Sequence, residues 1–592
     1  MITQIELDEA RYNSRDCLGM CRVYSHLVAA LERSNVVQVY EADEQMGDLA
    51  LQMTRVGMPV NSELRGEIGA RLRKLRDDAV IILRQYTEGD FLPHFIEWAA
   101  NFMAATVRKG EPEAGAARVG PARAQATLDD AKAALVEWRA YLKTLAPDDV
   151  EVIADIQAQM SELKLAIIEA KRNLTVAQTC NYTDADDGLP HSLESAFAAR
   201  VAIRTPEFVA RLEKSGVNFG AKIQQAAILR AAGVPLLRVT EKSKMPKIDK
   251  EVLGALSRHP AAKALLRYIL VDKTITMYIE GEQREGKGAG KTRPVMVTDD
   301  GYLRPLWTIH KITGRWGSSP NVQNFSKRAG DGSENLRAMV EPPEGYTFVG
   351  ADQKQLEARL IGAMSQCPYM IDTFRRGEDI HSAFSAIGFP VQWPKLAAAY
   401  KEHKAAVGKC NCNDCQMRDK IRDLVKRLEY GGFYGGAAQT LWESVVSEFP
   451  DVPMSQIVEF LRQFNLRLPE VLAWRENVLR EAIHDGCIRS PILGRMQVFP
   501  LARVDPTVAY NYKAQSGGAD LWALGAIEFC KIWDQSAFDA RIIHNGHDSV
   551  LVLCREEYAP AVEADIYTCW NREWQGVPFE MEAKIGKSWS ET

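Results

Sequence analysis

Strand signals in this chain begin only near Arg293, and they are short. Before that point the sequence reads as helices: "ARYNSRDCLGMCRVYSHLVAALER", "YEADEQMGDLALQMTRV" and, after a "GMPVN" break, "SELRGEIGARLRKLRDDAVIILRQY". The Gly/Ala/Pro-rich run Arg108–Pro121 marks a linker or exposed loop. Two more helical stretches follow, "ATLDDAKAALVEWRAYLKTL" and "DDVEVIADIQAQMSELKLAIIEAKRNL", which can pair as an antiparallel hairpin about an "APDD" turn. From Arg293, "RPVMVTDDGYLRPLWTI" reads as two strands about a DDG turn. Further strands are "YTFVGAD", "CIRSP" with "MQVFP", "RIIHNGHDSVLVLC" and "FEMEAKIG". Helices first, then a small mixed sheet interrupted by a long helical block, predict an α+β fold.

The 592 residues suffice for several domains, and 46% hydrophobic with 26% charged is ordinary for a soluble globular chain. No apolar run approaches membrane-spanning length, and the N-terminus is acidic and polar where a targeting peptide is basic or apolar. A cytoplasmic protein with no membrane partner is expected. Eleven cysteines, an odd and mostly scattered set, point to reduced thiols. A net charge of −5 requires that any nucleic-acid surface be local.

The chemistry concentrates in a few segments. Between the two strands of "RIIHNGHDSVLVLC" lies a polar tip with His544, His547 and Asp548. It reads as a zinc site, as a plain polar turn, or as one carboxylate of a pair that holds a hard cation. A partner carboxylate is available where the strand Tyr346–Ala351 ends at Asp352, with Gln355, Glu357 and Arg359 in the helix just beyond. In "MRDKIRDLVKRLEYGGFYGG", Arg422, Lys426 and Tyr430 fall at i, i+4 and i+8 on one helical face. Two cations one turn apart followed by an aromatic ring suit a triphosphate topped by a base, or else a solvated basic stripe.

Taken in order, these segments resemble family A DNA polymerases, the family of bacterial DNA polymerase I and many phage replicative enzymes. "DQKQLEARLIGAMS" resembles the family's Asp-Tyr-Ser-Gln-Ile-Glu-Leu-Arg motif. Arg422, Lys426, Tyr430, Gly431, Tyr434 and Gly435 match Arg-x3-Lys-x3-Phe/Tyr-Gly-x2-Tyr-Gly, and the hairpin matches His-Asp-Glu with Ser549 in place of Glu. "TGRWGSSPNVQN", "RRGEDIHSAF", "YNYKAQSGGADLWAL" and "VPFEMEAKIGKSW" resemble further family segments, so the likeness runs from about Val36 to the C-terminus apart from two insertions.

The resemblance implies a right-hand polymerase with palm, fingers and mainly helical thumb. Its segments would be 36–109 as N-terminal helices, 110–190 as a helical insertion, 191–290 as thumb, 291–366 and 485–592 as palm, and 367–484 as fingers with a Cys-rich insertion at 395–420. It implies dNTPs and primer–template DNA as partners and two Mg²⁺ ions on Asp352 and Asp548. Arg422, Lys426 and His381 would neutralise phosphates, Lys426 would also protonate pyrophosphate, and Tyr430 would stack on the incoming base, with Gln355 nearby. Glu357 would exclude a ribose 2′ hydroxyl. Arg315, Gln515 and Asn511 would read the minor groove at the primer terminus, with His547 supporting it and Tyr434 guarding the template position.

Gln353, Lys354 and Thr507 also depart from the family pattern, and His-Asp-Ser is the pattern of single-subunit RNA polymerases, which makes such an enzyme the alternative reading. An inactive DNA-binding scaffold is the other. Tyr12 and Asp16 resemble the end of a DnaQ-like proofreading exonuclease, so residues 1–35 are expected to be a remnant in a phage- or plasmid-type enzyme without intrinsic proofreading, or the junction with a separate exonuclease subunit. In the fingers insertion, Cys410, Cys412 and Cys415 with His403 suit a tetrahedral zinc site, with Cys367 as an alternative fourth ligand.

Overall fold

The structure is a computed structural model. It describes residues 37–96, 121–142, 214–236, 246–280 and 297–592 apart from 310, 331, 409, 447, 450 and 500–503, with single residues between 156 and 212. Residues 1–36, including Tyr12 and Asp16, and nearly all of the Arg108–Pro121 run lie outside the described residues. The chain divides into two compact units, Met1–Leu75 with Leu270–Thr592, and Arg76–Ile269.

The first unit is built on a four-stranded sheet of β1 (Tyr346–Gln353), β2 (Ala540–Asn545), β3 (Ser549–Arg555) and β4 (Met581–Gly586), in the order β4-β1-β3-β2. Every pair in it is antiparallel, so the expectation of a mixed sheet is corrected. The reason lies in the connections. Only Gly546, His547 and Asp548 separate β2 from β3, a link that permits only antiparallel pairing. The two longer excursions, β1 to β2 and β3 to β4, each return the chain in its original direction, but in the order β4-β1-β3-β2 the strands they join are not neighbours, so every adjacent pair is antiparallel.

The sheet's apolar run is buried against two helices. One is α5 (Pro506–Ile532, capped by Asp505 with Pro506 in its first turn), the other Ala559–Trp570. Phe348, Val552, Trp522, Phe529 and Trp570 are each no more than 1% exposed in this core, and such side chains contribute roughly 1.5–3 kcal/mol apiece by burial. Helix Val37–Val56 adds Met46, Leu49 and Met53. After it, Gly57 turns the chain with φ +76° and Met58–Pro59 pairs with Tyr302–Leu303. The DDG turn forms, Gly301 donating to the Thr298 carbonyl, but the described partner of the strand beyond it is the "GMPVN" break.

A second core in this unit holds the helical block between β1 and β2. It includes α1 (Leu356–Ser365), α2 (Ile380–Gly388), α3 (Trp393–Val407) and α4 (Asn413–Phe433), with Phe384, Phe433 and Phe464 meeting at centroid distances of 5.3–5.9 Å. Helix α5 serves both cores, giving Trp522, Ala526 and Phe529 to the first and Ala509, Tyr512 and Leu521 to the second. Gly431 on α4 is required by close approach, since a Cβ there would lie 2.1 Å from Leu441 Cδ2.

In the unit Arg76–Ile269, Leu83, Phe91, Phe95, Ile228, Leu229, Leu253 and Leu265 form a core. A smaller cluster packs Leu135 of helix Pro121–Leu142 against Ile156 and Met160, as the hairpin reading expects, while the intervening turn lies outside the described residues.

Candidate active site

Sheet register brings the two aspartates together. Asp352, next to last in β1, is opposite Ser549 at the start of β3, and the Gln353 amide donates to the Asp548 carbonyl at 2.8 Å. The hairpin tip is fixed by Gly546 donating to the Ser549 carbonyl and by His547 at φ +76°, whose amide donates to Asn545 Oδ1. A non-glycine residue in that left-handed region is uncommon and marks a locally determined geometry. On the other side of Asp352, Glu582 of β4 is its register partner. Glu582 was not singled out in the sequence. It lies in the strand Met581–Gly586, but register with Asp352 cannot be read from local pattern.

Both aspartates hold their protons more tightly than usual. Asp352 opens on the cleft but is walled by protein, and loss of hydration, then the charge of Asp548, raises its pKa to about 7 against the pull of Lys426 and Arg337. Asp548 is also raised, chiefly by loss of hydration. Arg337, missed in the sequence, donates from Nε to the Phe325 carbonyl and lies 4.6 Å over the Trp589 ring. Its own pKa is lowered by burial and partly restored by the two aspartates. Ser549 adds no carboxylate, and its Oγ crowds the hairpin tip, 2.0 Å from where a Cβ on Gly546 would stand.

Across a cleft of about 1160 Å³, α4 presents Arg422, Lys426 and Tyr430, with Tyr434 just past its end. The same cleft is lined by Arg315, Asp352, Gln355, Glu357, His381 and Asp548. Arg422 forms a two-pronged ion pair with Asp379, both contacts 2.8 Å. Asp379 also caps α2 through the Ser382 amide and accepts from Gln355 Nε2 at 2.5 Å. Burial opposes ionisation of Asp379, but the bonds from Arg422 and Ser382 outweigh it and hold the carboxyl below its ordinary range. His381 is 2% exposed, with Nδ1 2.5 Å from Glu429 Oε1. Burial pushes the fully enclosed Glu429 carboxyl up, against the pull of His381.

Glu357, in the first turn of α1, accepts from Arg315 Nη2 at 2.5 Å and from the Tyr434 hydroxyl at 2.8 Å. Burial, then the Glu357 charge, raises both the Tyr430 and Tyr434 phenols. Gln355, which precedes α1, sits at φ 52°. His547 lines an adjoining hollow with Arg315 and Gln323, and burial together with Arg315 lowers its pKa to about 4. His544 packs between Trp307 and Trp589, 2% exposed. Asn511 and Gln515 share a face of α5 but do not line the cleft; Asn511 Nδ2 donates to the Thr507 carbonyl. Asp379, Glu429, Arg337 and Glu582 are the residues sequence reasoning missed. His403, Cys410, Cys412 and Cys415 do converge, whereas Cys367 is buried at the head of helix Pro368–Arg375 and outside that group, which removes it as the alternative ligand.

The family model for DNA polymerase family A matches residues 191–591. The chain is 25% identical over 356 residues to DNA polymerase I of Helicobacter pylori, covering 58% of this chain and 35% of that one. It is 25% identical over 417 residues to the thermostable DNA polymerase I of Thermus aquaticus, covering 67% and 45%. It therefore spans less than half the length of these curated relatives. The fold is similar to that of the polymerase domain of Pol1 from M. smegmatis, solved with DNA primer-template and dNTP, at a TM-score of 0.50 and 20% identity over 83% of this chain and 82% of that one. No helix among the described residues is long and apolar enough to cross a membrane. With the match extending from residue 191 to 591, this chain belongs to DNA polymerase family A.

Proposed function

We propose that the chain is a template-directed DNA polymerase that adds dNTPs to a primer 3′ end by phosphoryl transfer, acting in the cytoplasm of a bacterial or phage-infected cell. The observation that carries this reading is the pairing of Asp352 with Asp548 at one wall of a cleft whose other wall carries Arg422, Lys426 and Tyr430. Residues 291–366 and 485–592 serve as palm, 367–484 as fingers and 191–290 as thumb, with 110–190 inserted.

The donor set at the aspartates is all oxygen, and two neighbouring carboxyls whose proton affinity is raised first by loss of hydration and, for Asp352, then by the charge of Asp548 suit a hard divalent cation such as Mg²⁺. When bound, a pair of such ions would activate the 3′ hydroxyl and stabilise the departing pyrophosphate. Asp352 and Asp548 would hold them. Lys426 and Arg422 neutralise the triphosphate and orient it for in-line attack, and Lys426 supplies a proton to the leaving group. His381, whose Nδ1 faces Glu429 Oε1 at 2.5 Å, offers Nε2 to a phosphate. Tyr430 stacks on the base. Glu357, anchored by Arg315 and Tyr434, fills the space beside the sugar and selects deoxyribose. Arg315, with His547 behind it and Asn511 and Gln515 on α5, contacts the primer–template minor groove.

Primer extension with dNTPs or rNTPs tests this reading. The wild type is expected to incorporate dNTPs efficiently and rNTPs poorly, and Glu357→Ala to narrow that gap. Efficient rNTP use by the wild type would instead identify an RNA-synthesising enzyme.

A further inference from the structure

Outside the cleft, the C-terminal end of α3 and the start of α4 bring four soft ligands together. His403 lies just before the last turn of α3, Cys412 caps α4, Cys415 is in its first turn, and Cys410 sits in the link between them. Their ligand atoms all lie within 4.8 Å of one another. His403 Nδ1 is 3.3 Å from Cys412 Sγ, 3.4 Å from Cys415 Sγ and 3.7 Å from Cys410 Sγ.

Hydrogen bonding does not account for this convergence. One ring nitrogen either donates a single proton or offers a single lone pair, so it can satisfy one sulfur and not three. A central cation satisfies all four. With Zn–S at 2.3 Å and Zn–N near 2.0 Å, a tetrahedral ion places its nitrogen roughly 3.5 Å from each sulfur, which is the separation seen. The Cys412 amide also donates to Cys410 Sγ at 3.5 Å, which holds the link between the two helices close. Three sulfurs with one imidazole select zinc over the hard ions suited to the aspartate pair.

We propose that His403, Cys410, Cys412 and Cys415 bind one structural zinc ion that fastens the end of α3 to the start of α4. Binding displaces three thiol protons to solvent and leaves four protein ligands and no open position, so the ion is not a second catalytic centre. Its consequence for the cleft follows from adjacency. Lys404, next to His403, and Tyr400, one turn earlier, line the nucleotide cleft together with Arg418 of α4, whose guanidinium lies 4.2 Å over the Tyr400 ring. The ion would thus fix one wall of the cleft beyond Arg422, a statement that rests on the nucleotide-binding reading given above.

The test is metal analysis of the full chain, purified without chelator under reducing conditions and then given equimolar Zn²⁺. One zinc per chain is expected, with X-ray absorption showing three sulfur and one nitrogen neighbours. His403→Ala and Cys412→Ser should lose it, and Cys487→Ser, outside the cluster, should keep it. A folded wild-type chain that binds no zinc, or variants that keep full stoichiometry, would overturn the site. The measurement needs no polymerase activity, so its failure is distinguishable from failure of the nucleotide reading. In an active enzyme, zinc loss should raise the dNTP KM several-fold with DNA affinity unchanged; zinc loss without that rise would overturn the link to the cleft.

Discussion

Arg422 is engaged before any nucleotide arrives. Its guanidinium makes two 2.8 Å bonds to Asp379, with about 28% of each side chain still exposed. A triphosphate that recruits Arg422 must therefore displace a carboxylate. Bonds between charged groups contribute roughly 1.5–3 kcal/mol when sheltered, and exposed pairs about 0.2–1. Discounted for solvent, this pair opposes exchange by about 1–1.5 kcal/mol, or roughly five- to tenfold in affinity. Asp379→Asn removes the charge while keeping a good helix cap for α2. In single-turnover incorporation it should tighten apparent dNTP affinity by about three- to tenfold, and it should leave the fold intact by circular dichroism. Arg422→Ala should weaken affinity strongly in the same assay. If Asp379→Asn weakens nucleotide binding as Arg422→Ala does, the carboxylate positions the arginine and the competition argument is wrong.

Two further perturbations test the scaffold. His544 is enclosed by Trp307 and Trp589, and burial first, then Arg337 and His547, lowers its pKa to about 3. Because its folded pKa lies below the unfolded value near 6.5, the unfolded chain takes up the extra proton. Stability from this group is complete above pH 6.5 and is lost as pH falls toward 3; at pH 5 the loss is about 2 kcal/mol. His544→Phe should therefore flatten the stability profile between pH 6.5 and 5 in denaturant titrations, and an unchanged slope would refute the assignment. Gly431→Ala would force a methyl against Leu441 and should cost about 1–3 kcal/mol, read as a lowered melting temperature, whereas a neutral result would show that helix Ala438–Val445 yields freely.

What the sequence disclosed and what it concealed follow from range. The β2–β3 hairpin and the strand-to-helix turn after Asp352 are local patterns, and the Arg422, Lys426 and Tyr430 face is a matter of helical spacing. Each was legible. Strand direction is not encoded in alternation, which is why a mixed sheet was expected where every pair is antiparallel. The contacts of Asp352 with Glu582, Arg422 with Asp379 and His381 with Glu429 join residues far apart in the chain, and nothing in their own segments announces them. The cysteine spacing was legible, but the choice of His403 over Cys367 is made by the packing of α3 on α4.

The central claim is that Asp352 and Asp548 act as one site for phosphoryl transfer. Single-nucleotide incorporation on a primer–template duplex, measured with primer–template affinity for the wild type, Asp352→Asn and Asp548→Asn, tests it most directly. The account expects either substitution to slow incorporation by about a thousandfold or more, as removal of a group acting only in the transition state would, with DNA binding retained. Incorporation within tenfold of wild type in either variant would contradict it.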